Sequence, residues 1–151
     1  MKNFLLIVLV FFASLTYGQT SLGDRKYEIE EILTSKPESA IAYNDRGLAR
    51  AYTSNHQEAI IDYTKAIQLI KNFHDAYFNR GVSKMELEDY RGAIADFTKA
   101  IEFQAENPQN YSKRGSCQLL LNKKEDACLD FSKAGELGLA EAYDLIKKNC
   151  K

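Results

Sequence analysis

The sequence predicts an all-α protein built from three stacked helical hairpins. Five positions recur at a constant spacing of 34 residues, with no insertion or deletion, and a period of this length is typical of stacked-helix arrays. At each recurring position a small residue stays small and an aromatic residue stays aromatic. The recurring residues are Tyr43, Gly47, Ala59, Tyr63 and Ala66, then Tyr77, Gly81, Ala93, Phe97 and Ala100, then Tyr111, Gly115, Ala127, Phe131 and Ala134.

The chain begins with residues that do not belong to this array. Lys2 precedes an apolar run over residues 4–13, and Thr16 and Gly18 are small residues just before a cleavage site ahead of Gln19. This order indicates a secretory signal peptide over residues 1–18. A retained N-terminal membrane anchor is the alternative, although the run is shorter than the ~20 residues that a bilayer span needs. We expect cleavage after Gly18, a periplasmic or secreted protein, and no stable membrane insertion afterwards.

The remaining elements follow in order along the chain. Residues 19–39 are expected to hold a polar leader and a helix over residues 25–34, interpreted as a degenerate half repeat that covers the first full repeat. Three hairpins then occupy residues 40–73, 74–107 and 108–139. Their helices are expected near residues 40–53 and 57–70, 74–87 and 91–104, and 108–121 and 125–137.

Helix starts and the end of the array have local signals. Asn55 and Asn122 each stand three residues before a Glu, which predicts capping boxes. Asp89 is expected to cap the next return helix, and Asn107 precedes a Pro at a first helical position. Within residues 140–151 we expect a capping helix near residues 140–149, with Tyr143 and Ile146 directed inward and a polar outer face.

The small residues and one charged pattern also repeat in register. Gly and Ala at the recurring small positions let two antiparallel helices approach closely, and the second-helix aromatic residues are expected to fill the space between hairpins. An Arg precedes each recurring Gly, and an Asp precedes each second-helix aromatic residue. These residues are Arg46, Arg80 and Arg114, with Asp62, Asp96 and Asp130. They form either a structural ladder of ion pairs or an anion-binding row, and repetition in every repeat favours the ladder.

Composition argues against several functions. The net charge of −1 lacks the basic surface that nucleic acids or anionic membranes require. His56 and His74 lie at hairpin ends and are expected at the surface. The sequence contains no Cys-x-x-Cys or His-x-x-x-His pattern. We therefore expect no enzyme activity, no metal and no cofactor.

The three cysteines allow more than one arrangement. Cys128 and Cys150 come level across the final turn, and Cys117 and Cys128 come level across the preceding turn. Because thiols outside the cytoplasm tend to oxidise, a Cys128–Cys150 disulfide is favoured, with Cys117 as a buried thiol. Three reduced, buried cysteines are the open alternative.

One set of short sequence segments begins at Tyr43, Tyr77 and Tyr111, and a second set begins at Asp62, Asp96 and Asp130. Both sets resemble tetratricopeptide repeats, over about residues 40–140. The resemblance implies a right-handed superhelix whose first helices line a concave, peptide-binding groove. On this resemblance the groove residues are Asn44, Tyr52, Asp75, Phe78, Asn79, Val82, Met85, Gln109, Ser112, Lys113 and Ser116, with Leu48, Ala51, Glu86 and Leu119 beside them. Leu48, Val82 and Leu119 are equally interpreted as interior residues.

The resemblance also narrows the kind of partner. One subclass of the family holds the terminal carboxylate of a peptide with a clamp of Lys, Asn and Arg. Asn79 is at a compatible place and Lys113 stands where that clamp has Arg, but the clamp residues near Asn44, Leu48 and Gln109 are missing. The resemblance thus implies an exported, non-enzymatic scaffold that binds a protein or peptide other than a cytosolic chaperone tail. The alternative is a structural envelope component that self-associates as a homo-oligomer.

Overall fold

The structure is a computed structural model that describes residues 22–150, with side chains from residue 28 onward. Within that range the chain forms eight α-helices and no strand. Their bounds are α1 (Leu22–Thr34), α2 (Ala40–Tyr52), α3 (His56–Leu69), α4 (His74–Glu86), α5 (Tyr90–Phe103), α6 (Pro108–Leu120), α7 (Lys124–Glu136) and α8 (Glu141–Asn149). The all-α prediction is confirmed.

The structure tests only part of what the sequence predicts for the N-terminal segment. The proposed signal peptide, residues 1–18, lies outside the described residues. Helix α1 begins three residues earlier than expected, at Leu22 rather than Arg25. Its role as a cover for the first repeat stays a prediction. No helix among residues 22–150 is long and apolar enough to cross a bilayer.

Residues 32–150 form a compact unit that contains three hairpins and a closing helix. Within it, α2 packs against α3, α4 against α5, and α6 against α7, and each return helix then packs against the first helix of the next hairpin. Ala40, Ala66, Ile67 and Ala76 form one buried cluster at the first junction between hairpins. Since each hairpin is buried by its neighbours, stability comes from stacking along the array.

The recurring glycines sit directly against the recurring aromatic rings. Tyr63, Phe97 and Phe131 have no exposed surface. A Cβ built on Gly47 would lie 2.5 Å from Cε1 of Tyr63, and a Cβ on Gly81 would lie 2.9 Å from Cε1 of Phe97. The ring therefore occupies the space that Gly leaves within its own hairpin. The predicted place between hairpins also holds for Phe97, which packs against Cys117 of the next hairpin, whereas the contact with Gly was not predicted.

The predicted Arg–Asp ladder is present, and each pair lies within a single repeat. Arg46 donates from Nε and Nη2 to the two carboxylate oxygens of Asp62 at 2.9 and 2.7 Å. The other two repeats have the same bidentate geometry. Bidentate pairing of this kind is both strong and orienting, so the structural interpretation of the pattern holds.

The third guanidinium nitrogen joins each repeat to the segment before it. Nη1 of Arg80 donates to the Thr64 hydroxyl at 3.0 Å, and Nη1 of Arg114 donates to the Thr98 hydroxyl at 3.1 Å. Each guanidinium also lies 5.5–5.8 Å from the centre of the tyrosine ring that opens its repeat. All three nitrogens of each guanidinium thus donate to groups within the chain, which argues against an anion-binding row.

Two of the four predicted helix caps form, and two do not. Asp89 accepts from the Gly92 amide at 2.9 Å, and Asn107 accepts from the Gln109 amide at 3.0 Å, as expected. Asn55 makes no side-chain capping bond, and its Nδ2 donates to the Thr53 hydroxyl at 3.2 Å. Asn122 adopts φ 59° in the turn, so the helix begins one residue later and the capping box cannot form.

Helix α8 closes the array by packing on α7. Ala142 is fully buried, as is its counterpart Ala76 in the second repeat, and the structure joins Cys128 to Cys150 with a Cα–Cα distance of 5.7 Å, the pairing favoured in the sequence analysis. Tyr143 contradicts the inward prediction, since 62% of its surface is exposed. The Tyr143 hydroxyl donates to the Gly135 carbonyl at 3.4 Å, and among residues 22–150 no helix follows α8 to cover the ring.

Candidate functional site

One side of α2 carries four exposed residues in a stripe. Ile41, Asp45, Leu48 and Tyr52 are spaced by four, three and four residues, which places them on the same side of a helix. The three apolar members are 62%, 45% and 78% exposed, in that order. Such a stripe on the first helix of the array is a surface on which another molecule can pack.

The same side of α4 and α6 continues this surface. The first helices contact one another along the array, α2 with α4 and α4 with α6, and no comparable contact joins the return helices among residues 32–150. Helices that lie closer together line the inner side of a curved array. The corresponding residues are Asp75, Asn79, Val82 and Glu86 on α4, and Gln109, Lys113, Ser116 and Leu120 on α6. We call these eight residues, together with the four of the α2 stripe, the first-helix surface.

The floor of the first-helix surface is formed by one polar pair and one aromatic residue. Asn44 is only 6% exposed, and its Oδ1 accepts from Nδ2 of Asn79 at 3.0 Å, which ties α2 to α4. Phe78 lies with its ring 5.7 Å from that of Phe97. Ser112, the corresponding residue of α6, is half-buried, and its carbonyl accepts from the hydroxyl of Ser116 at 2.9 Å.

The apolar groove residues predicted on α4 belong partly to the core. Phe78, Val82 and Met85 are half-buried and pack against the buried cluster of Ala93, Phe97 and Cys117. They present a side of each chain to the surface while the rest is internal. The interpretation of Val82 as an interior residue therefore holds in part, and the accessible apolar groups of the surface are mainly those of α2.

The ionisable groups of the first-helix surface differ from one end to the other. Asp45 and Glu86 are exposed, and neither has an ion pair or side-chain hydrogen bond among the described residues. The carboxylate of Asp75 lies 2.8 Å from Nδ1 of the adjacent His74. Lys113 on α6 is half-buried and likewise has no polar partner in residues 28–150. The surface is thus acidic beside α2 and cationic on α6.

The other cationic side chains of the first helices are paired with buried carboxylates. Arg50 and Lys84 each lie 2.8 Å from the buried carboxylate of their own repeat, beside the recurring arginine. The corresponding residue of the third repeat is Gln118, which carries no charge, so Asp130 is held by Arg114 alone. None of these side chains adds positive charge to the first-helix surface.

Two buried polar features, Asn110 and the burial of His74, were not found from the sequence. Asn110 is fully buried, and its Nδ2 lies 3.3 Å from Nε2 of His74 and donates to the Gln104 carbonyl at 3.3 Å. His74 is therefore not a surface residue, since only 14% of its side chain is exposed.

Burial raises the pKa of the Cys117 thiol to about 11, which makes it a poor nucleophile. Among residues 22–150 no group of His, Cys, Asp or Glu side chains is arranged to hold a metal.

The sequence analysis also missed three members of the first-helix surface. Ile41, Asp45 and Leu120 were not predicted, although each is exposed. The repeat period was a sufficient signal. Counting back 34 residues from Asp75 and Asn79 gives Ile41 and Asp45, because equivalent positions of a repeat lie on the same face.

Comparison with known proteins identifies the repeat. A family model described as tetratricopeptide repeat matches residues 40–73 and 74–107. No curated protein matches the sequence significantly.

Several solved structures share the fold. The tetratricopeptide repeat domain of Arabidopsis OM64 is 27% identical, covers 75% of this chain and 95% of its own, and has a TM-score of 0.72. The second such domain of human RPAP3, determined in complex with the HSP70 peptide SGPTIEEVD, is 26% identical, covers 74% of this chain and 95% of its own, and has a TM-score of 0.71. MamA, at 17% identity, 83% and 81% coverage and a TM-score of 0.71, shows the fold alone.

Proposed function

Since the chain is a tetratricopeptide repeat protein, we propose that it is a non-enzymatic scaffold, exported from the cytoplasm, that binds a protein or peptide through the first-helix surface. The observation that carries this proposal is the α2 stripe, where three large apolar side chains stand exposed in a row. Large exposed apolar residues grouped on a concave face are unusual for a protein without a partner.

The relatives support a binding role of this kind. The RPAP3 domain, 26% identical, is in complex with a peptide, so a domain of this size and fold accommodates one. The resemblance to the carboxylate clamp is incomplete here, because only Asn79 and Lys113 stand at compatible places. Asn79 is moreover bonded to Asn44. We propose that the partner of this chain differs from the peptide of that complex.

The buried ionisable groups of the repeats serve structural roles. The buried carboxylates Asp62, Asp96 and Asp130 are each paired with an arginine at 2.7 Å. Catalysis usually needs convergent groups with shifted pKa values in a cleft. The free charges of the first-helix surface, Asp45, Glu86 and Lys113, instead lie on three different helices of an open face, which favours recognition.

Export rests on two independent observations. Residues 1–18 have the order of charge, apolar run and small residues of a signal peptide. The Cys128–Cys150 disulfide fits an oxidising compartment, because such bonds are rare where thiols are kept reduced. Together these features favour a periplasmic or secreted protein.

Site-specific photo-crosslinking tests the binding surface. We would place the photoreactive residue p-benzoylphenylalanine at Tyr52 or Leu120 on the first-helix surface, and at Ile61 or Leu129 on return helices as equally exposed controls. The proposal expects a partner to be captured from the first two positions and not from the controls. Capture only from Ile61 or Leu129 would overturn it.

Two further measurements check the remaining parts. Light scattering on the purified chain separates a monomer from the self-associating alternative, which predicts a mass that rises with concentration. Mass spectrometry of the exported chain tests cleavage after Gly18. An N-terminus at Met1 in the exported fraction would refute that cleavage.

A further inference from the structure

The α2 end of the first-helix surface combines apolar and acidic groups without a free cation. Ile41, Leu48 and Tyr52 provide exposed apolar area, and Asp45 stands among them in the same stripe. Glu86 on α4 occupies the position that Tyr52 occupies on α2, so the two residues stand at equivalent places on adjacent first helices. A ligand on this half of the surface therefore meets apolar groups and carboxylates together.

The local cations do not neutralise these carboxylates. Arg46 and Arg50 on α2 both bond to Asp62, at 2.7 and 2.8 Å. Lys84 on α4 bonds to Asp96 at 2.8 Å. Within residues 28–150 the negative charges of Asp45 and Glu86 thus remain available to an incoming molecule.

We propose that the α2–α4 half of the first-helix surface binds a linear protein segment in which apolar side chains alternate with Lys or Arg. This inference rests on the proposed function and names the chemistry of its partner. The apolar side chains of the segment pack on Ile41, Leu48 and Tyr52, and its basic groups pair with Asp45 and Glu86. Opposite charges at a binding surface mainly set partner choice and association rate.

Lys113 limits how far such a segment extends. It is the polar, cationic counterpart on α6 of Asp45 on α2, and it has no partner among the described residues. A basic group placed over α6 is repelled, so the segment ends over the second repeat or becomes neutral or acidic beyond it. The acidic peptide of the RPAP3 complex has the opposite charge from the segment proposed for the α2–α4 half.

The test uses two fluorescein-labelled synthetic peptides that share their Leu and Tyr positions and differ only in carrying Lys or Glu between them. Fluorescence anisotropy with the purified chain measures both affinities. We expect the Lys peptide to bind about tenfold more tightly at low salt. Each exposed charge pair contributes little, but the two pairs that attract in the Lys peptide repel in the Glu peptide. The preference should shrink as the salt concentration rises.

Matched variants separate this surface from overall charge. Asp45→Asn combined with Glu86→Gln should remove the preference for the Lys peptide. Glu58→Gln combined with Glu106→Gln changes the net charge equally at exposed sites off the surface and should leave the preference unchanged. An equal loss in both double variants would mean that net charge, rather than this surface, selects the peptide, and would overturn the inference.

The remaining outcomes distinguish the inference from the proposed function. Tighter binding of the Glu peptide overturns the inference but leaves the proposed function intact. The same holds if a partner is crosslinked from Tyr52 and neither peptide displaces it. Capture only from return-helix positions defeats both. Loss of Lys-peptide binding as the chain concentration rises would show that a second copy occupies the surface, which also overturns the inference.

Discussion

Replacing Gly47 with Ala tests the contact on which each hairpin depends. The new Cβ would lie 2.5 Å from Cε1 of Tyr63, a ring with no exposed surface and hence no free space into which to move. Overpacking a buried site costs about 1–3 kcal/mol, and the gain from replacing Gly within a helix returns about 0.5–1 kcal/mol. We therefore expect Gly47→Ala to lower the free energy of unfolding by about 1–2 kcal/mol.

Gly135→Ala provides the matched control. Its Cβ would lie 3.4 Å from the nearest atom, in the ring of Tyr143, which is 62% exposed and can adjust. Only the helix gain then applies, so this variant should be more stable by about 0.5–1 kcal/mol. Urea unfolding followed by circular dichroism measures both changes from the midpoint and slope. Equal stabilisation by the two substitutions would refute the account of the recurring glycines.

Three further predictions concern the ladder and the cysteines. Arg114→Gln should destabilise the chain by about 3 kcal/mol or more in urea, and by more than Arg80→Gln, because a lysine remains beside the carboxylate that Arg80 leaves; equal losses would contradict this. Replacing Cys128 and Cys150 by Ser should cost about 3 kcal/mol, given their separation of 22 residues, and an unchanged unfolding midpoint would contradict that. Because burial raises the pKa of Cys117 to about 11, iodoacetamide should label the unreduced chain only after unfolding, with one label by mass; three labels would mean that the disulfide is absent.

The sequence was most informative where the same residue recurs in every repeat. The bidentate pairs of Arg46, Arg80 and Arg114 follow from a fixed register of Arg before Gly and Asp before the aromatic residue. A period of constant length fixes which residues share a face, so it also gives helix bounds within a few residues. Had the period been applied to every predicted groove residue, Ile41 and Asp45 would have been included.

The sequence was least informative where a residue breaks the repeat. Asn110 takes the place of Ala76 and is buried against His74, a contact that no spacing rule describes. The hydrogen bond between Asn44 and Asn79 joins different positions of adjacent repeats, so it depends on how the helices are placed. Tyr143 was predicted as internal by its likeness to Tyr77, but such a position is covered by a following helix, and among residues 22–150 no helix follows α8.

The central claim is that the exposed stripe on α2, rather than any equally apolar outer surface, holds the partner. The most direct measurement compares the affinity of a crosslinked and identified partner for two double variants, Leu48→Ser with Tyr52→Ser, and Ile61→Ser with Leu129→Ser. All four side chains are exposed by 45% or more, so neither variant should unfold. The account predicts a loss of affinity of about tenfold or more for the first variant and little change for the second. A partner that binds the first variant normally and loses affinity for the second would contradict it.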